Sequence, residues 1–310
     1  MYLYIVQKIR KLTYQQIDFN KYDLCIKNAT NSRTEAYSWY LDIVCNKNWE
    51  ALVLDDYKAV MPLPIRKKYL ISYVYNPMWI LQLGVFSNQK NTNINAFLNK
   101  LFKQYKLVDL RLNTNNLPTK TTHLTKKETH FLKTSDYENL KKSFRSDRKK
   151  DLKRAIKHKL TPNWNTSNLD NFIDLYAFNL QQRAKEITNK DITRVRKLLK
   201  TILHKNKGEL LTIYDKNEHL VAGGFFLKHH DIVTILLSTT DLKNRRNGGN
   251  TFLIDTAIQK YQNHFTNFDF GGSSIPSIAN YFLSFQAKTA NYFQINYNNL
   301  PLVYKIFKSN

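Results

Sequence analysis

The sequence predicts an α/β fold on a mixed sheet, divided between two domains. Three observations predict it. An apolar strand, Phe268, Asp269 and Phe270, stops at Gly271 and Gly272, turns through Ser273 and Ser274, and restarts as a helix at Pro276, which is how α/β folds present backbone amides to ligands. The second half reads as helices, β-meander, helix, strand, helix, strand. Its 310 residues exceed the roughly 250 at which one core stops growing economically, so domains are placed at 1–130 and 131–310.

The elements follow in order. Residues 1–8 read as a first strand. Residues 35–44 carry apolar side chains at helical offsets, 49–54 form a strand, Asp55 and Asp56 turn, and 57–63 return until Pro62 and Pro64 interrupt them. Residues 71–75 and 79–86 are β-rich. Residues 95–105 are amphipathic through Phe97, Leu98, Leu101 and Phe102, and 107–112 close the first α/β unit. In the second half, Ser135 to Glu138 is a capping-box pattern that opens one basic helix over 135–160, ended by Thr161 and Pro162. A helix capped by Ser167 carries Phe172, Leu175, Tyr176, Asn179 and Leu180, and another covers 192–203. Strands at 209–214, 219–227 and 232–239 make the meander. A helix with Leu253, Ile254, Ala257 and Ile258, the strand to Phe270, a helix whose first turn tolerates Pro276, and a strand near 292–297 complete the chain.

The formal charge is +24, from 48 Lys plus Arg against 24 Asp plus Glu, which predicts attraction to polyanions: nucleic acid, anionic headgroups or phosphorylated metabolites. Part of this is diffuse, as biased codon usage would make it. The stretch 141–159 is different. Ten basic residues there face two acids, while Leu140, Phe144, Leu152, Ala155 and Ile156 keep an apolar stripe, so a docked helix presents phosphate-binding residues such as Arg145, Arg148 and Arg154. Cys25 and Cys45 make neither a disulfide framework nor a metal set, and a reducing, cytoplasmic setting is expected. No run approaches the roughly 18–20 apolar residues that cross a bilayer.

Two further stretches carry chemistry. Arg245, Arg246, Gly248, Gly249 and Asn250 stand between a strand and a helix start, where glycine amides, the helix dipole and arginine together favour an anion; a polar turn capping the helix is the alternative. Arg66 and Lys67, with Tyr37 and Trp39 upstream, suit an acceptor with sugar and phosphate parts, although each alone is an ordinary turn or core residue. Gly223 and Gly224 interrupt an apolar strand, either for ligand approach or for an aromatic lying across the sheet. There is no Gly-x-x-x-x-Gly-Lys loop, His-Glu-x-x-His or Gly-x-Ser-x-Gly elbow, and no metal site is expected.

The strand end at 268–272, the helix closing in Tyr281, Phe282, Leu283, Ser284 and Phe285, and the basic helix resemble the Fem-type aminoacyltransferases within the GNAT acyltransferase superfamily. The resemblance implies tandem GNAT-like domains, the second clearer than the first. It also implies an N-acyltransferase that moves an acyl group from acetyl-CoA or another acyl-CoA to an amine of a phosphorylated or sugar-containing acceptor, such as a cell-envelope precursor. Arg245 and Gly248 match the coenzyme A pyrophosphate spacing, with Asn250 in the last slot; the donor phosphates fall to Arg245, Arg246, Gly248 and Gly249. Gly272, Ser273 and Ser274 orient the reacting groups, Asp269 attracts the amine, and Tyr281 stands where GNAT enzymes carry a leaving-group acid, or serves as a core tyrosine. At the Fem-type lysine this chain has Phe282 or Leu283, with Gln286 where glycine is usual and Lys288 nearby. That departure places a CoA donor ahead of aminoacyl-tRNA. The alternatives are transfer from aminoacyl-tRNA and a non-catalytic module that binds RNA or anionic membrane.

Overall fold

The computed structural model describes residues 8–301 except 69, 90, 120, 121, 135, 273 and 274. They divide into one unit of residues up to 127 together with those from 291 onward, and a second of residues 128–290. The sequence boundary near 130 left the last strand in the second domain, whereas all but its first three residues belong to the first unit. Among the described residues no helix is long and apolar enough to cross a membrane.

In unit 1 the strands β1 (Ile9–Leu12), β2 (Trp49–Leu54), β3 (Ala59–Lys68) and β4 (Ile71–Val74) pair antiparallel in that order. The short β5 (Phe86–Ser87) pairs β3 at Ala59 and Val60. Helices α1 (Phe19–Asn28), α2 (Ser38–Val44) and α3 (Ile94–Gln104) cover the sheet, and β6 (Leu107–Arg111) runs parallel to β4. Tyr22, Tyr40, Trp49, Phe86 and Phe97 fill the core. β3 does not stop at its prolines. The amide of Ile65 bonds Asn48, so alternation turns the nitrogens of Pro62 and Pro64 to the other edge, where β5 reaches Val60 and β4 begins at Ile65. A missing N–H costs nothing there. The β-rich stretch 79–86 is mostly irregular, because Trp79 and Gly84 take positive φ (65° and 100°).

Unit 2 is entered through β7 (Leu124–Lys133), a strand the sequence reading missed. The single helix expected over 135–160 is two, α4 (Tyr137–Ser143) and α5 (Ser146–Lys157). Phe144 turns extended to bury its ring against Phe285, at 5.2 Å between centroids, and that burial breaks the helix. Asp136 caps α4; the expected cap, Ser135, lies outside the described residues, as do residues 1–7 of the expected first strand. After β8 (Thr161–Asn163) come α6 (Leu169–Arg183) and α7 (Asn189–His204), and then the meander β9 (Gly208–Tyr214), β10 (Leu220–His229) and β11 (Ile232–Thr240). Helix α8 (Gly249–Tyr261), β12 (Asn267–Asp269), α9 (Pro276–Leu283) and β13 (Lys288–Asn298) end the fold. The sheet order in unit 2 is β7-β12-β11-β10-β9-β8, with β12 parallel to β11 and antiparallel to β7.

The adjacent glycines of β10 explain how this sheet is sandwiched. A Cβ on Gly223 would lie 2.5 Å from the Phe172 ring of α6, and one on Gly224 would lie 3.1 Å from Leu253 of α8. Neighbouring strand residues face opposite ways, so α6 and α8 cover opposite faces. The packing reading of these glycines holds. Gly223→Ala should therefore destabilise the protein by about 1–3 kcal/mol in urea unfolding through overpacking, and Phe172→Leu in the same chain should recover part of that loss.

Candidate active site

The site begins where the sheet opens. β12 pairs β11 only to the level of Thr234 and Asp269, and β11 runs on to Thr240. Register also slips between Phe225 and Phe226, leaving Leu236 of β11 bulged. The diverging carboxyl ends of parallel strands leave a crevice. Below it, within unit 2, is a cavity of ≈ 420 Å³ walled by Ser238, Thr239 and Thr240 of β11, by Tyr176, Asn179, Leu180 and Arg183 of α6, and by the starts of α5 and α8 with Tyr281 of α9.

Arg148 organises the floor. Its side chain is 11% exposed; Nη1 forms an ion pair with Asp151 Oδ2 at 2.8 Å and donates to Thr251 Oγ1 at 2.7 Å, while Nη2 donates to Asp147 Oδ2 at 3.2 Å. The guanidinium lies over the Tyr281 ring, 4.5 Å from its centroid. Two hydrogen bonds with Arg145 and the charge of Arg148 hold the Asp147 carboxyl well below the usual carboxylate range. Thr251 donates to Asp151 Oδ2 at 3.0 Å and so has spent its one proton. The Tyr281 hydroxyl, 3.2 Å from Thr251 Oγ1, therefore donates to it, and accepts from Asn250 Nδ2 at 3.0 Å. Burial pushes the phenol up to about 12, against the pull of Thr251 and Arg148 in the other direction. Tyr281 is a neutral hydrogen-bond donor across the physiological range.

Two buried polar atoms in this wall have no hydrogen-bond partner among the described residues: Arg148 Nε, a donor, and Asn179 Oδ1, an acceptor. Asn179 is otherwise fixed, donating to Thr239 Oγ1 at 2.7 Å and to the Thr240 carbonyl at 2.9 Å. Orphaned polar atoms in a roomy wall are open to a ligand or to water. Arg183 and Arg245 line the same space.

The glycines after Arg245 and Arg246 are otherwise employed. Gly248 has φ +85°, and a Cβ there would stand 2.1 Å from the Asp151 carbonyl, so its bareness lets α5 abut the start of α8. The Gly249 amide donates to Asn247 Oδ1 at 2.8 Å. Arg245 and Asn250 reach the cavity wall, whereas Arg246 is exposed outside it.

Other expected residues are dispersed. Asp269 is not in the wall; its Oδ1 accepts from the Gly271 amide at 2.9 Å and from Thr129 Oγ1 at 3.2 Å, bracing the strand end. Gly272 (φ +73°) lies against β7, where a Cβ would be 3.0 Å from the Glu128 carbonyl. Ser273 and Ser274 lie outside the described residues. Arg145 pairs Asp147 and donates to Asn280, and Arg154 pairs Asp151 on the exposed side, both away from the cavity wall. In unit 1, Arg66 and Lys67 line a separate cavity of ≈ 570 Å³ with Lys47 and Ser72, and Tyr37 and Trp39 are not part of it. Sequence reasoning passed over Asp151, Thr251, Asn179 and Arg183. An asparagine on the apolar stripe of α6 was the available signal for Asn179.

No protein-family model matches the chain, and no curated protein does. Solved structures do. The chain is similar to FemX, at 13% identity and a TM-score of 0.66 over 97% of this chain and 100% of that one. It is also similar to L-PGS from Bacillus licheniformis (12%, 0.55, 93% and 94%) and to the C-terminal domain of a putative lysylphosphatidylglycerol synthetase from Agrobacterium fabrum (9%, 0.53, 94% and 94%). At such identities the likeness establishes the fold, a mixed α/β architecture shared with Fem-type structures, as the motifs implied.

His130 on β7 is fully buried, with neither ring nitrogen hydrogen-bonded among the described residues. Burial lowers its affinity for a proton, against the opposing charges of Glu128 and Asp269. Below the ordinary histidine value of about 6.5, the unfolded chain takes up a proton that the native state refuses. Stability in urea should therefore fall as pH drops below about 6.5, and His130→Leu should flatten that part of the profile. An unchanged slope would show that His130 is not the group responsible.

Proposed function

We propose that unit 2 is an acyltransferase that moves an acyl group from an activated, phosphate-bearing ester onto an amine in the cavity floored by Arg148 and Tyr281. The observation that carries this reading is the convergence, beneath the β11–β12 opening, of a neutral phenol donor, a buried cation and two orphaned polar atoms, with Arg183 and Arg245 in the same wall. A neutral amine attacks the donor carbonyl, forming the C–N bond as the carbonyl electrons move to oxygen. Collapse breaks the bond to the leaving group, which takes the Tyr281 proton, and the proton lost by the nitrogen restores the phenol. Arg148 under the ring stabilises the transient tyrosinate. It also supplies the positive charge that Phe282, packed 4.9 Å from Phe270, does not.

Two features favour an oxygen ester, such as the aminoacyl ester of tRNA, over a CoA thioester. A thiolate, with a parent thiol near 8.5, leaves without an acid, whereas an alkoxide needs a proton, which a phenol at about 12 is acidic enough to supply. The Gly249 amide is also already committed to Asn247, which thins the amide cradle for a pyrophosphate. The acyl-CoA reading retains support from Arg245 at the β11 to α8 connection. The acceptor is an amine of a phosphorylated or sugar-containing molecule.

The tandem arrangement belongs to the same proposal. Each unit has an antiparallel meander (β2-β3-β4 and β9-β10-β11), a helix, a parallel strand (β6 and β12), and an antiparallel neighbour (β13 and β7).

A thermal-shift titration with an amide-linked 3′-aminoacyl nucleotide and with acetyl-CoA tests the donor. Ligand at 100 times its Kd stabilises by about 2.7 kcal/mol, and Arg183→Gln with Arg245→Gln should remove the shift. Tyr281→Phe should keep donor binding while lowering turnover by about 10² or more. A shift untouched by the arginine changes would place the donor elsewhere, and RNA binding without turnover would favour the binding-module reading.

A further inference from the structure

Thr251 is the crossing point of the network beneath the cavity. Its Oγ1 accepts from Arg148 Nη1 at 2.7 Å, and it lies 3.0 Å from Asp151 Oδ2 and 3.2 Å from the Tyr281 hydroxyl. One proton has two neighbours to serve. With the phenol neutral, that proton goes to Asp151, and the Tyr281 hydroxyl donates to Thr251. The residue is 2% exposed, so water does not take over either contact.

The balance changes when Tyr281 loses its proton. A phenolate has nothing to donate and calls for donors of its own. Thr251 meets that call by turning its O–H about the Cβ–Oγ1 bond, with Oγ1 still accepting from Arg148. Asp151 tolerates the loss, because Oδ2 keeps its ion pair with Arg148 at 2.8 Å and Oδ1 keeps Arg154 at 2.8 Å. Asn250 Nδ2, already 3.0 Å from the phenol oxygen, is the second donor. Both residues belong to the first turn of α8, where the helix dipole favours negative charge.

We propose that Thr251 is a positioning residue for the acid: its hydroxyl turns from Asp151 to Tyr281 as the phenol gives up its proton, and with Asn250 it holds the phenolate until the proton from the amine returns. Thr251 keeps its own proton throughout, and no bond to it forms or breaks. The place of this step in a reaction rests on the acyl-transfer reading. The stabilised phenolate rests on the hydrogen-bond geometry alone.

The test replaces Tyr281 by 3-fluorotyrosine, whose fluorine resonance follows ionisation of that one phenol in the ligand-free chain. Fluorine makes the phenol more acidic, which moves its titration away from alkaline unfolding. In that background Thr251→Val, which keeps the shape and drops the hydroxyl, should raise the ionisation point by about one pH unit, because a hydrogen bond to a charged oxygen outweighs one to the neutral phenol. Thr251→Ser should restore it. In the otherwise unaltered chain, Thr251→Val should lower kcat about tenfold on a 3′-aminoacyl nucleotide ester with KM unchanged, and Thr251→Ser should recover most of the loss. If the valine variant does not fold, Thr251→Ala set against Thr251→Ser isolates the same hydroxyl. An ionisation point unmoved by loss of the hydroxyl, with only the unfolding midpoint lowered, would show that Thr251 merely ties α8 to α5 and would overturn the proposal. A raised ionisation point in a protein that turns over no donor would keep Thr251 as the partner of the phenolate and sink the transfer reading instead.

Discussion

The site rests on one buried guanidinium. Arg148 cannot shed its proton, so burying its side chain requires anions and acceptors around it. Asp147, Asp151 and Thr251 meet that demand, and the Tyr281 ring covers the remaining face. Because these groups come from α5, α8 and α9, satisfying one charge fixes three helices against each other. Removing one partner of such a pair costs about 3–5 kcal/mol, since it strands the other. The same demand brings α5 so close to α8 that position 248 has no room for a side chain. The glycine that looks like a phosphate cradle in the sequence is first a requirement of helix packing.

That constraint also sets the chemistry. Tyr281 is close enough to a cation to bear a transient negative charge, yet buried enough to keep its proton at rest. The proton directions around Thr251 follow from counting donors rather than from any unusual bond. What distinguishes the cavity is that two of its buried polar atoms, Arg148 Nε and Asn179 Oδ1, are left over after the internal network is complete.

Much of the fold was legible because burial has a period. The strands at 49–54 and 209–214, the helix capped by Asn93 and the helix opening at Pro276 were read within a residue or two. Failures came where tertiary packing overrode local pattern. The basic helix breaks to bury Phe144, β3 passes through two prolines because their nitrogens face a gap in the neighbouring strands, and the β-rich run 79–86 is bent by positive φ at Trp79 and Gly84. In the site, Arg148 and Tyr281 stood out in the sequence, and the resemblance implied a leaving-group acid at Tyr281, but the network that Arg148 organises was not visible there. Asp151 and Thr251 are 100 positions apart, and no local signal joins them. Asp269 attracted attention through its motif, yet its carboxylate serves the turn at Gly271.

The most direct measurement is a crystal structure of the protein with a non-reacting aminoacyl ester analogue bound. The account predicts the analogue in the cavity of unit 2, its leaving oxygen within hydrogen-bond distance of the Tyr281 hydroxyl, its phosphate on Arg183 or Arg245, and Asn179 Oδ1 or Arg148 Nε newly partnered. An analogue bound elsewhere, with the Tyr281 hydroxyl still turned to Thr251 and both buried atoms still orphaned, would contradict it.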